Sequence, residues 1–520
     1  MKVYEGTIIS CDRAGRVHRY LAEHKGRIAY AGEALPAEYA GAPREKLGVR
    51  ALVPAFGDTH AHLLSHAFFS AGLDVRGART LDELAGAVRD FARDRDDGVL
   101  VGFGASPHSV AERRMITRAE LDGACPDRAV LLVKYDGHAA VANSRLLGML
   151  PGRVRGLRGF DPETGALGLE AFYAATDFAA KKVPLPRALA GLLRAVDGMA
   201  ARGIGLVHSA AGVGFPLDLD VSMETLLFRG LDSGFQGRVY FQTMDIGKVR
   251  RRGLPRVGGC FAAALDGCFG SADAALLEPY SDDARSKGTL FFSDRQAADF
   301  VKSANRAGLQ AAMHAIGDAA FEQAVRAIEA ALADFPRGDH RHTIIHACLP
   351  TDEGLEKCAR LGIHLAVQPA FLGWEQEPWE YLERILGGRA AGFCPLRRVA
   401  DMGITMSGGS DAPCTPPDPM LGVHAACNHP VPGQSLTAAE ALRLFTYNAA
   451  WASFDEGERG SLETGKIADM AVLSGDPLTV EPAALAGLKV EKLLLKGEPY
   501  RGGQGVLGAL ARGLLGGGRA

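Results

Sequence analysis

The chain has 520 residues and nearly balanced charge, with 58 Lys and Arg against 61 Asp and Glu. The sequence has no basic stripe that would indicate nucleic-acid binding and no acidic block typical of a disordered tail. The nine cysteines are scattered and never form Cys-x-x-Cys, which argues against a disulfide framework or a zinc ribbon. Because the sequence has no signal region and no apolar run long enough to span a membrane, we expect a cytoplasmic protein without nucleic-acid or membrane partners.

The two ends of the chain carry short segments with a strand pattern. These segments are residues 7–10, 27–31, 468–473 and 490–495. Glycines punctuate the N-terminal pair, as expected for strands joined by turns. We predict a small composite β-sandwich domain built from residues 1–52 and 455–501.

Residues 53–454 alternate short apolar strands with helical stretches, a pattern typical of parallel βα units. Eight segments have the spacing expected of barrel strands. They are residues 53–63, 204–208, 238–243, 261–266, 310–314, 343–346, 364–368 and 404–407. Eight parallel strands closed by outer helices form a TIM-type (β/α)8 barrel, so we predict an α/β fold of this class.

The connection between the first and second predicted barrel strands is far too long for an ordinary βα loop. It covers about residues 74–202 and contains apolar runs at residues 99–104 and 129–135. We predict an inserted subdomain that lies over the C-terminal mouth of the barrel. Residues 502–520 form a Gly-rich tail that we expect to be loosely ordered or packed against a partner subunit. The second alternative would make the protein a homo-oligomer.

Five candidate metal ligands follow four of the predicted barrel strands. His60 and His62 lie two residues apart, so on a strand their side chains share a face and can share a metal ion. Two hydrogen-bonded core histidines would give the same pattern. His314, His346 and Asp411 end or follow other strands, and functional groups of a barrel gather at this rim. We therefore expect a divalent metal that activates water, with Asp411 accepting the proton.

Further motifs accompany these residues along the chain. They are residues 53–63, Asp136-Gly137-His138, Asn143-Ser144, residues 263–271, His314-Ala315-Ile316-Gly317-Asp318, Ile345-His346-Ala347, Gln368-Pro369, residues 409–413, residues 446–450, Gly460-Ser461-Leu462 and residues 465–469. Together they resemble the amidohydrolase superfamily, and specifically the family 3 branch that includes N-substituted formamide deformylases. The resemblance implies a composite β domain, a (β/α)8 barrel and metal-dependent hydrolysis of amide or related C–N bonds.

The resemblance also assigns roles to residues. It implies metal binding by His60, His62, His314 and His346, and both metal contact and proton transfer by Asp411.

One position departs from the family pattern. Many relatives carry a fourth-strand lysine that becomes carboxylated and bridges two metals, and counting back from Asp266 places that position at Ala262. We therefore predict a mononuclear site, with zinc as the first choice and iron or manganese as alternatives. A second metal would need another bridge, for which Glu170, Cys260 and Cys268 are candidates, although both cysteines are better interpreted as small buried apolar residues.

Several other side chains are candidates for contact with the substrate or support of the ligands. His138, in the insertion, either reaches the substrate from above the mouth or only holds its own loop together. His208 ends the second strand and is a candidate to support a ligand, whereas Gln368 is interpreted as structural. Trp374 and Trp379 either line an apolar pocket or pack a loop.

The leading functional hypothesis is a metal-dependent hydrolase that cleaves an amide, formamide or cyclic-amide C–N bond of a small molecule. In this hypothesis Asp411 carries the proton, and His346 or His138 stabilises the oxyanion. Two alternatives stay open. The same site could perform deamination, ester or lactone hydrolysis, or C–C cleavage such as decarboxylation, or the scaffold could be a non-catalytic binding protein.

Overall fold

The computed structural model describes residues 1–93, 95, 98–212 and 216–515. The last part of the predicted tail, residues 516–520, lies outside the described residues. Among the described residues, no helix is both long and apolar enough to cross a membrane.

The strands of the described chain are numbered from the N-terminus. They are β1 (Lys2–Ile9), β2 (Val17–His24), β3 (Arg27–Gly32), β4 (Arg44–Pro54), β5 (Phe56–Ala61), β6 (Leu73–Asp74), β7 (Leu100–Ala105), β8 (Val130–Lys134), β9 (Ala139–Ala142), β10 (Ala166–Gly168), β11 (Ile204–Ala211), β12 (Gln236–Phe241), β13 (Arg256–Ala264), β14 (Gln310–Ala315), β15 (Thr343–His346), β16 (His364–Val367), β17 (Met406–Gly408), β18 (Met470–Leu473), β19 (Val490–Leu495) and β20 (Glu498–Pro499).

The α-helices of the same residues are numbered in the same direction. They are α1 (Leu63–Ser70), α2 (Leu81–Arg93), α3 (Arg118–Ala124), α4 (Ser144–Met149), α5 (Leu169–Ala180), α6 (Leu185–Ala201), α7 (Leu219–Gly230), α8 (Ile246–Arg251), α9 (Asp294–Arg306), α10 (Asp318–Asp334), α11 (Asp352–Leu361), α12 (Trp379–Leu386), α13 (Leu396–Asp401), α14 (Pro419–Cys427), α15 (Ala438–Leu444), α16 (Tyr447–Ala452) and α17 (Val506–Leu515).

Eight of the described strands form one parallel sheet in the order β5-β11-β12-β13-β14-β15-β16-β17. Helices follow most of these strands, so the strands are buried on both faces and β11 is buried along its whole length. The last strand returns to the first, where the Thr59 hydroxyl donates to the Gly408 carbonyl at 2.9 Å and a parallel bridge joins Ala61 to Ala412. The predicted TIM-type barrel is confirmed.

The fourth barrel strand, β13, begins at Arg256, earlier than the predicted segment of residues 261–266. The prediction missed this start because two glycines inside the strand interrupt its apolar pattern. The pairing of β13 with β14 shifts between Gly259 and Ala264, so the residues between them bulge from the ladder. Gly258 permits the bulge because its φ is +97° and an added Cβ would lie 2.0 Å from a carbonyl oxygen of β14. The next side chain, that of Cys260, consequently points to the C-terminal rim of the barrel, where it meets two histidine rings.

A second sheet joins the two ends of the chain in the order β20-β19-β18-β4-β1-β2-β3. Strand β4 pairs in parallel with β1 and antiparallel with β18, so it connects the N-terminal and C-terminal segments. A small apolar core that includes Tyr4, Leu52 and Met470 lies on one side of this sheet. Only Ala55 separates β4 from β5, which anchors the sheet to the first barrel strand.

A third sheet, in the order β10-β9-β8-β7-β6, lies in the connection between the first and second barrel strands. Strands β7 and β8 form where the two apolar runs are, at residues 99–104 and 129–135. Two separate apolar clusters include residues of this sheet, so the inserted segment has core packing of its own. Part of α5 and the loop after β8 line the cavity over the barrel mouth.

Helix α17 occupies part of the Gly-rich tail and packs against α7 of the same chain. Small residues allow this close approach, because an added Cβ at Gly230 would lie 1.8 Å from the Ala509 carbonyl oxygen, and one at Gly513 would lie 2.2 Å from that of Leu226. The described part of the tail therefore forms a helix that packs on its own chain and is not loosely ordered, whereas packing against a partner subunit stays a prediction.

Candidate metal centre

Four histidines and one aspartate gather at the C-terminal end of the barrel. They are His60, His62, His314, His346 and Asp411, and all are buried. Asp411 Oδ1 lies 3.2 Å from His60 Nε2 and 3.3 Å from His62 Nε2. The ring centroid of His346 lies 5.3 Å from that of His60 and 4.6 Å from that of His314. The structure brings all five predicted ligands together at one rim.

The first and last barrel strands hold Asp411 in place through Asp58. The Asp58 carboxylate accepts hydrogen bonds from the Ser410 amide at 3.0 Å and the His60 amide at 3.2 Å. The Asp411 amide donates to the His60 carbonyl at 2.8 Å, and the Asp411 backbone has a strained φ of +55°. A Cβ at Gly409 would lie 2.6 Å from the His60 amide nitrogen, so only glycine fits. Asp58 is therefore a positioning residue, a role that the sequence pattern did not reveal.

Gln368 fixes the orientation of His346. The amide group of Gln368 is oriented by its Nε2, which donates to the Ala366 carbonyl at 3.2 Å. Its Oε1 therefore accepts from His346 Nδ1–H at 2.7 Å, which leaves the Nε2 lone pair free. Burial lowers the pKa of His346 well below its usual value, and the ring is neutral. Gln368, predicted to be structural, therefore sets the tautomer of a candidate ligand.

His314 is held in a similar way from the other side of the centre. Its Nε2–H donates to the Gly267 carbonyl at 3.0 Å and lies 3.4 Å from the Asp266 carboxylate. That carboxylate accepts further hydrogen bonds from the backbone amides of Ile316 at 3.0 Å and Gly317 at 2.8 Å. Because Nε2 carries the proton, Nδ1 of His314 has the lone pair available for a metal.

The centre contains buried polar atoms that the protein itself does not satisfy. His62 Nδ1 and His314 Nδ1 are buried and make no hydrogen bond with any described residue, and Asp411 Oδ1 contacts two imidazole nitrogens without hydrogen-bond geometry. A buried polar group without a partner costs about 1–3 kcal/mol, so these atoms favour a bound ligand. Burial alone would raise the pKa of Asp411, but His60 and His62 outweigh it and hold that pKa well below its usual value. The donor set therefore fits a divalent cation.

Cys260 is a sixth donor at the same place. Its Sγ lies 3.0 Å from His60 Nε2 and 3.4 Å from His346 Nε2. Three groups of donor atoms lie within 4.8 Å of one another: His60-His62-Cys260, Cys260-His314-His346 and His60-His346-Asp411. Ala262, the position counted for a bridging lysine, is not among the described residues that line the cavity. Cys260 belongs to a small buried apolar cluster, as predicted, and its thiol also contacts two of the candidate ligands.

Glu170 and Cys268, the other candidates for a bridge, lie apart from the donor set. Glu170 is partly exposed at the start of α5, where its carboxylate accepts from Arg158 Nε at 2.8 Å. The Cys268 thiol faces the cavity but donates to Asp136 at 3.5 Å, and it belongs to none of the three donor groups in the described chain.

His208 lies inside the barrel, where it lines a small internal cavity together with His60. Its ring packs 6.1 Å from that of Tyr240, and its Nε2 is buried without a hydrogen-bond partner among the described residues. Burial lowers its pKa well below the usual value. The structure therefore shows His208 close to one ligand, but it shows no hydrogen bond that would orient that ligand.

A cavity of about 570 Å³ opens over the donor set and reaches between the barrel mouth and the inserted segment. His138 is among the residues that line it, as are His62 and Asp411. The backbone amide of His138 donates to Asp136 at 3.1 Å, and Asp136 pairs with Lys134 at 2.8 Å. Lys134 also donates to the Gly270 carbonyl at 2.7 Å, which ties this loop to the fourth-strand side of the rim. His138 thus faces the cavity from a loop that is itself held firmly.

Aromatic rings form much of the cavity wall. Trp374 stacks on Phe371 with centroids 4.7 Å apart, and Phe261 packs 5.1 Å from the ring of His62. Tyr173 of the inserted segment contacts Phe261 at 5.8 Å. Trp379, in contrast, is not among the described lining residues and packs 6.2 Å from Phe393. Only the first of the two tryptophans therefore lines the pocket.

Comparison with known proteins identifies the family of the chain. The family model described as "Amidohydrolase family" matches residues 48–500. The chain belongs to the amidohydrolase family. This finding confirms the resemblance predicted from the motifs, and it makes the chain a member of a group of metal-dependent hydrolases.

Two similar proteins and one similar solved structure each match nearly the whole chain. The protein YtcJ of Bacillus subtilis is 29% identical, and the match covers 91% of this chain and 93% of that protein. N-substituted formamide deformylase of Arthrobacter pascens is 28% identical over the same shares of the two chains. An uncharacterized metal-dependent hydrolase from Pyrococcus furiosus superimposes with a TM-score of 0.72 at 27% identity, over 92% of this chain and 100% of that chain.

Proposed function

We propose that this chain is a metal-dependent hydrolase that cleaves an amide, formamide or cyclic-amide C–N bond in a small molecule with a large apolar substituent. The observation that carries the proposal is that four of the five donors, His62, His314, His346 and Asp411, line a 570 Å³ cavity with aromatic walls. The similarity to an N-substituted formamide deformylase supports the type of bond.

The proposed metal ligands are His60, His62, His314, His346 and Asp411. Imidazole and carboxylate groups suit zinc, iron and manganese, and zinc is our first choice. When bound, a divalent cation lowers the pKa of water toward neutrality and polarises a carbonyl oxygen.

The protein side chains supply the remaining functions. Asp411 is ionised at neutral pH because its pKa is held low, so it accepts a proton from the attacking water and delivers it to the leaving nitrogen. His138 faces the cavity and donates a hydrogen bond to the oxygen of the scissile carbonyl. The wall of Phe261, Phe371 and Trp374 holds the apolar substituent and excludes bulk water.

A hydrolysis screen with zinc-loaded protein tests the proposal. N-benzylformamide should have a higher kcat/KM than unsubstituted formamide, an aryl lactone or an aminopurine. Asp411→Asn should lower kcat by at least about 10²-fold, whereas Asp299→Asn, on the exposed face of α9, should leave kcat unchanged.

Three outcomes would contradict the proposal. Preferential turnover of the lactone or the aminopurine would indicate different chemistry on the same site. Full activity of Asp411→Asn would remove the proposed proton carrier. Protein that binds no metal, and in which His60→Ala changes only stability, would indicate a binding function.

A further inference from the structure

We propose that Cys260 is a metal ligand that bridges two divalent cations. One cation would be held by His60, His62 and Asp411, and the other by His314 and His346. The inference rests on the proposed function, but it concerns how the metals are held and not which bond is cleaved. It replaces the mononuclear site expected from Ala262 with a binuclear one.

The backbone around Cys260 is built to hold the thiol at the centre. Gly259 adopts a φ of +143°, where a Cβ would lie 2.8 Å from the Gln242 side chain. Gln242 Oε1 accepts hydrogen bonds from the amides of Cys260 at 2.9 Å and Phe261 at 3.0 Å. Gln242 Nε2 in turn donates to the Ala210 carbonyl of β11 at 3.1 Å, so the side chain that holds these two amides is itself fixed. A buried amide clamp and a glycine whose φ other residues rarely adopt therefore fix the direction of the Cys260 side chain.

The thiol lies between the two proposed cation positions. Sγ is 3.0 Å from Nε2 of His60 and 3.4 Å from Nε2 of His346, and these histidines belong to different halves of the donor set. In the metal-free protein the thiol can donate to Nε2 of His346, whose proton is on Nδ1, and accept from Nε2–H of His60. The same sulfur, as a thiolate, would face both proposed cation positions.

Unsatisfied atoms in both halves provide an independent indication of ligands. His62 Nδ1 belongs to the first half and His314 Nδ1 to the second, and neither has a hydrogen-bond partner among the described residues. His314 is only 2% exposed and Cys260 only 8%, so water from the bulk does not solvate this region freely. Each half therefore has a donor that a cation would satisfy.

Metal binding would convert the thiol to a ligand by a balanced exchange. The S–H bond breaks, the proton passes to solvent, and the sulfur forms one bond to each cation. Thiolate and imidazole together favour zinc over manganese or magnesium. We therefore expect two zinc ions per chain.

Metal analysis and spectroscopy test the bridge without reference to activity. Wild-type protein, expressed with zinc, should contain two zinc ions per chain, and Cys260→Ser should lose at least one of them. In cobalt-substituted protein, thiolate-to-cobalt charge-transfer absorption should be present in the wild type, absent in Cys260→Ser and retained in Cys268→Ser. Cys268 is a suitable control because it is also buried and faces the same cavity.

X-ray absorption at the zinc edge of the wild-type protein tests the bridge even if Cys260→Ser does not fold, because it detects sulfur bound to zinc directly. Sulfur among the nearest neighbours, together with two ions per chain, supports the bridge. One ion per chain, a zinc shell without sulfur, or charge-transfer absorption that survives in Cys260→Ser overturns it. A bridged centre in protein that hydrolyses none of the screened compounds would instead leave the bridge established and refute the proposed function.

Discussion

Replacement of Gln368 by leucine should weaken metal binding without changing any ligand. Gln368 Oε1 accepts the His346 Nδ1–H at 2.7 Å and thereby directs the Nε2 lone pair to the centre. Leucine has a similar volume but no acceptor. In the variant, the imidazole loses its fixed tautomer and orientation.

The size of this effect follows from the burial of both groups. Gln368 is 1% exposed and His346 is 2% exposed, so water does not replace the lost acceptor. A buried donor without a partner costs about 1–3 kcal/mol, and loss of a residue that orients a metal ligand typically lowers metal affinity 10–100-fold. A 10–100-fold change in affinity corresponds to about 1.4–2.7 kcal/mol, which agrees with the cost of the missing hydrogen bond.

Competition between apoprotein and a chromogenic zinc chelator measures the affinity. Gln368→Glu retains an acceptor for Nδ1–H and should bind zinc more tightly than Gln368→Leu. Gln323→Leu is the matched control, because Gln323 is equally buried but bonds the Phe292 carbonyl and Asp294 from α10. If Gln368→Leu and the control both bind zinc as the wild type does, the role assigned to Gln368 is wrong.

Two further predictions concern the cavity and the pH dependence of stability. Trp374→Ala removes part of the aromatic wall, so KM for N-benzylformamide should rise about 10-fold. The kcat/KM for unsubstituted formamide, which has no substituent to bind, should change less than about 2-fold. Equal effects on both substrates would exclude a role of Trp374 in substituent binding. Burial in α7 raises the pKa of Glu224 to about 8, so its protonated form is stabilised on folding. That contribution is present below the usual carboxyl pKa and is lost as pH rises through about 8. The thermal unfolding temperature of Glu224→Gln should therefore fall less than that of the wild type between pH 5 and 8, and identical slopes would contradict the raised pKa.

The fold and the main donor set were predictable because both depend on patterns local to the sequence. Each barrel strand is a short apolar run before a helical stretch, and parallel strands place their ends at one rim. His60, His314, His346 and Asp411 each end or closely follow such a run. Their convergence therefore follows from strand order alone.

The residues that orient the ligands were not predictable in the same way. Asp58 precedes His60 by two positions and Gln368 ends the seventh strand, so both were visible in the motifs. Their roles depend on hydrogen bonds between strands, such as Asp58 to Ser410, that no local pattern specifies. A buried polar side chain next to a proposed ligand was the available signal, because such groups are hydrogen-bonded in folded proteins.

The position of Cys260 shows how backbone geometry limits counting along a strand. Counting back from Asp266 along the family motif gives Ala262 as the position of the bridging lysine, but it does not show which nearby side chain reaches the ligands. The strand bulges between Gly259 and Ala264, and the side chain that contacts two histidines is that of Cys260. The adjacent glycines Gly258 and Gly259 were the signal in the sequence, because glycine inside a strand often marks a bulge; in the structure both have a positive φ.

Closure of the barrel and assembly of the metal centre use the same contacts. The Asp411 amide bonds the His60 carbonyl, the His62 amide bonds the Ala412 carbonyl, and Asp58 bonds Ser410 across the same seam. The first and last strands therefore align their ligands only when the barrel is closed. A cation bound by His60, His62 and Asp411 would join the two strands directly, and binding to the folded state alone raises its stability. We accordingly expect the metal to stabilise the seam of the barrel, so that ligand geometry and barrel closure are properties of one cooperative unit.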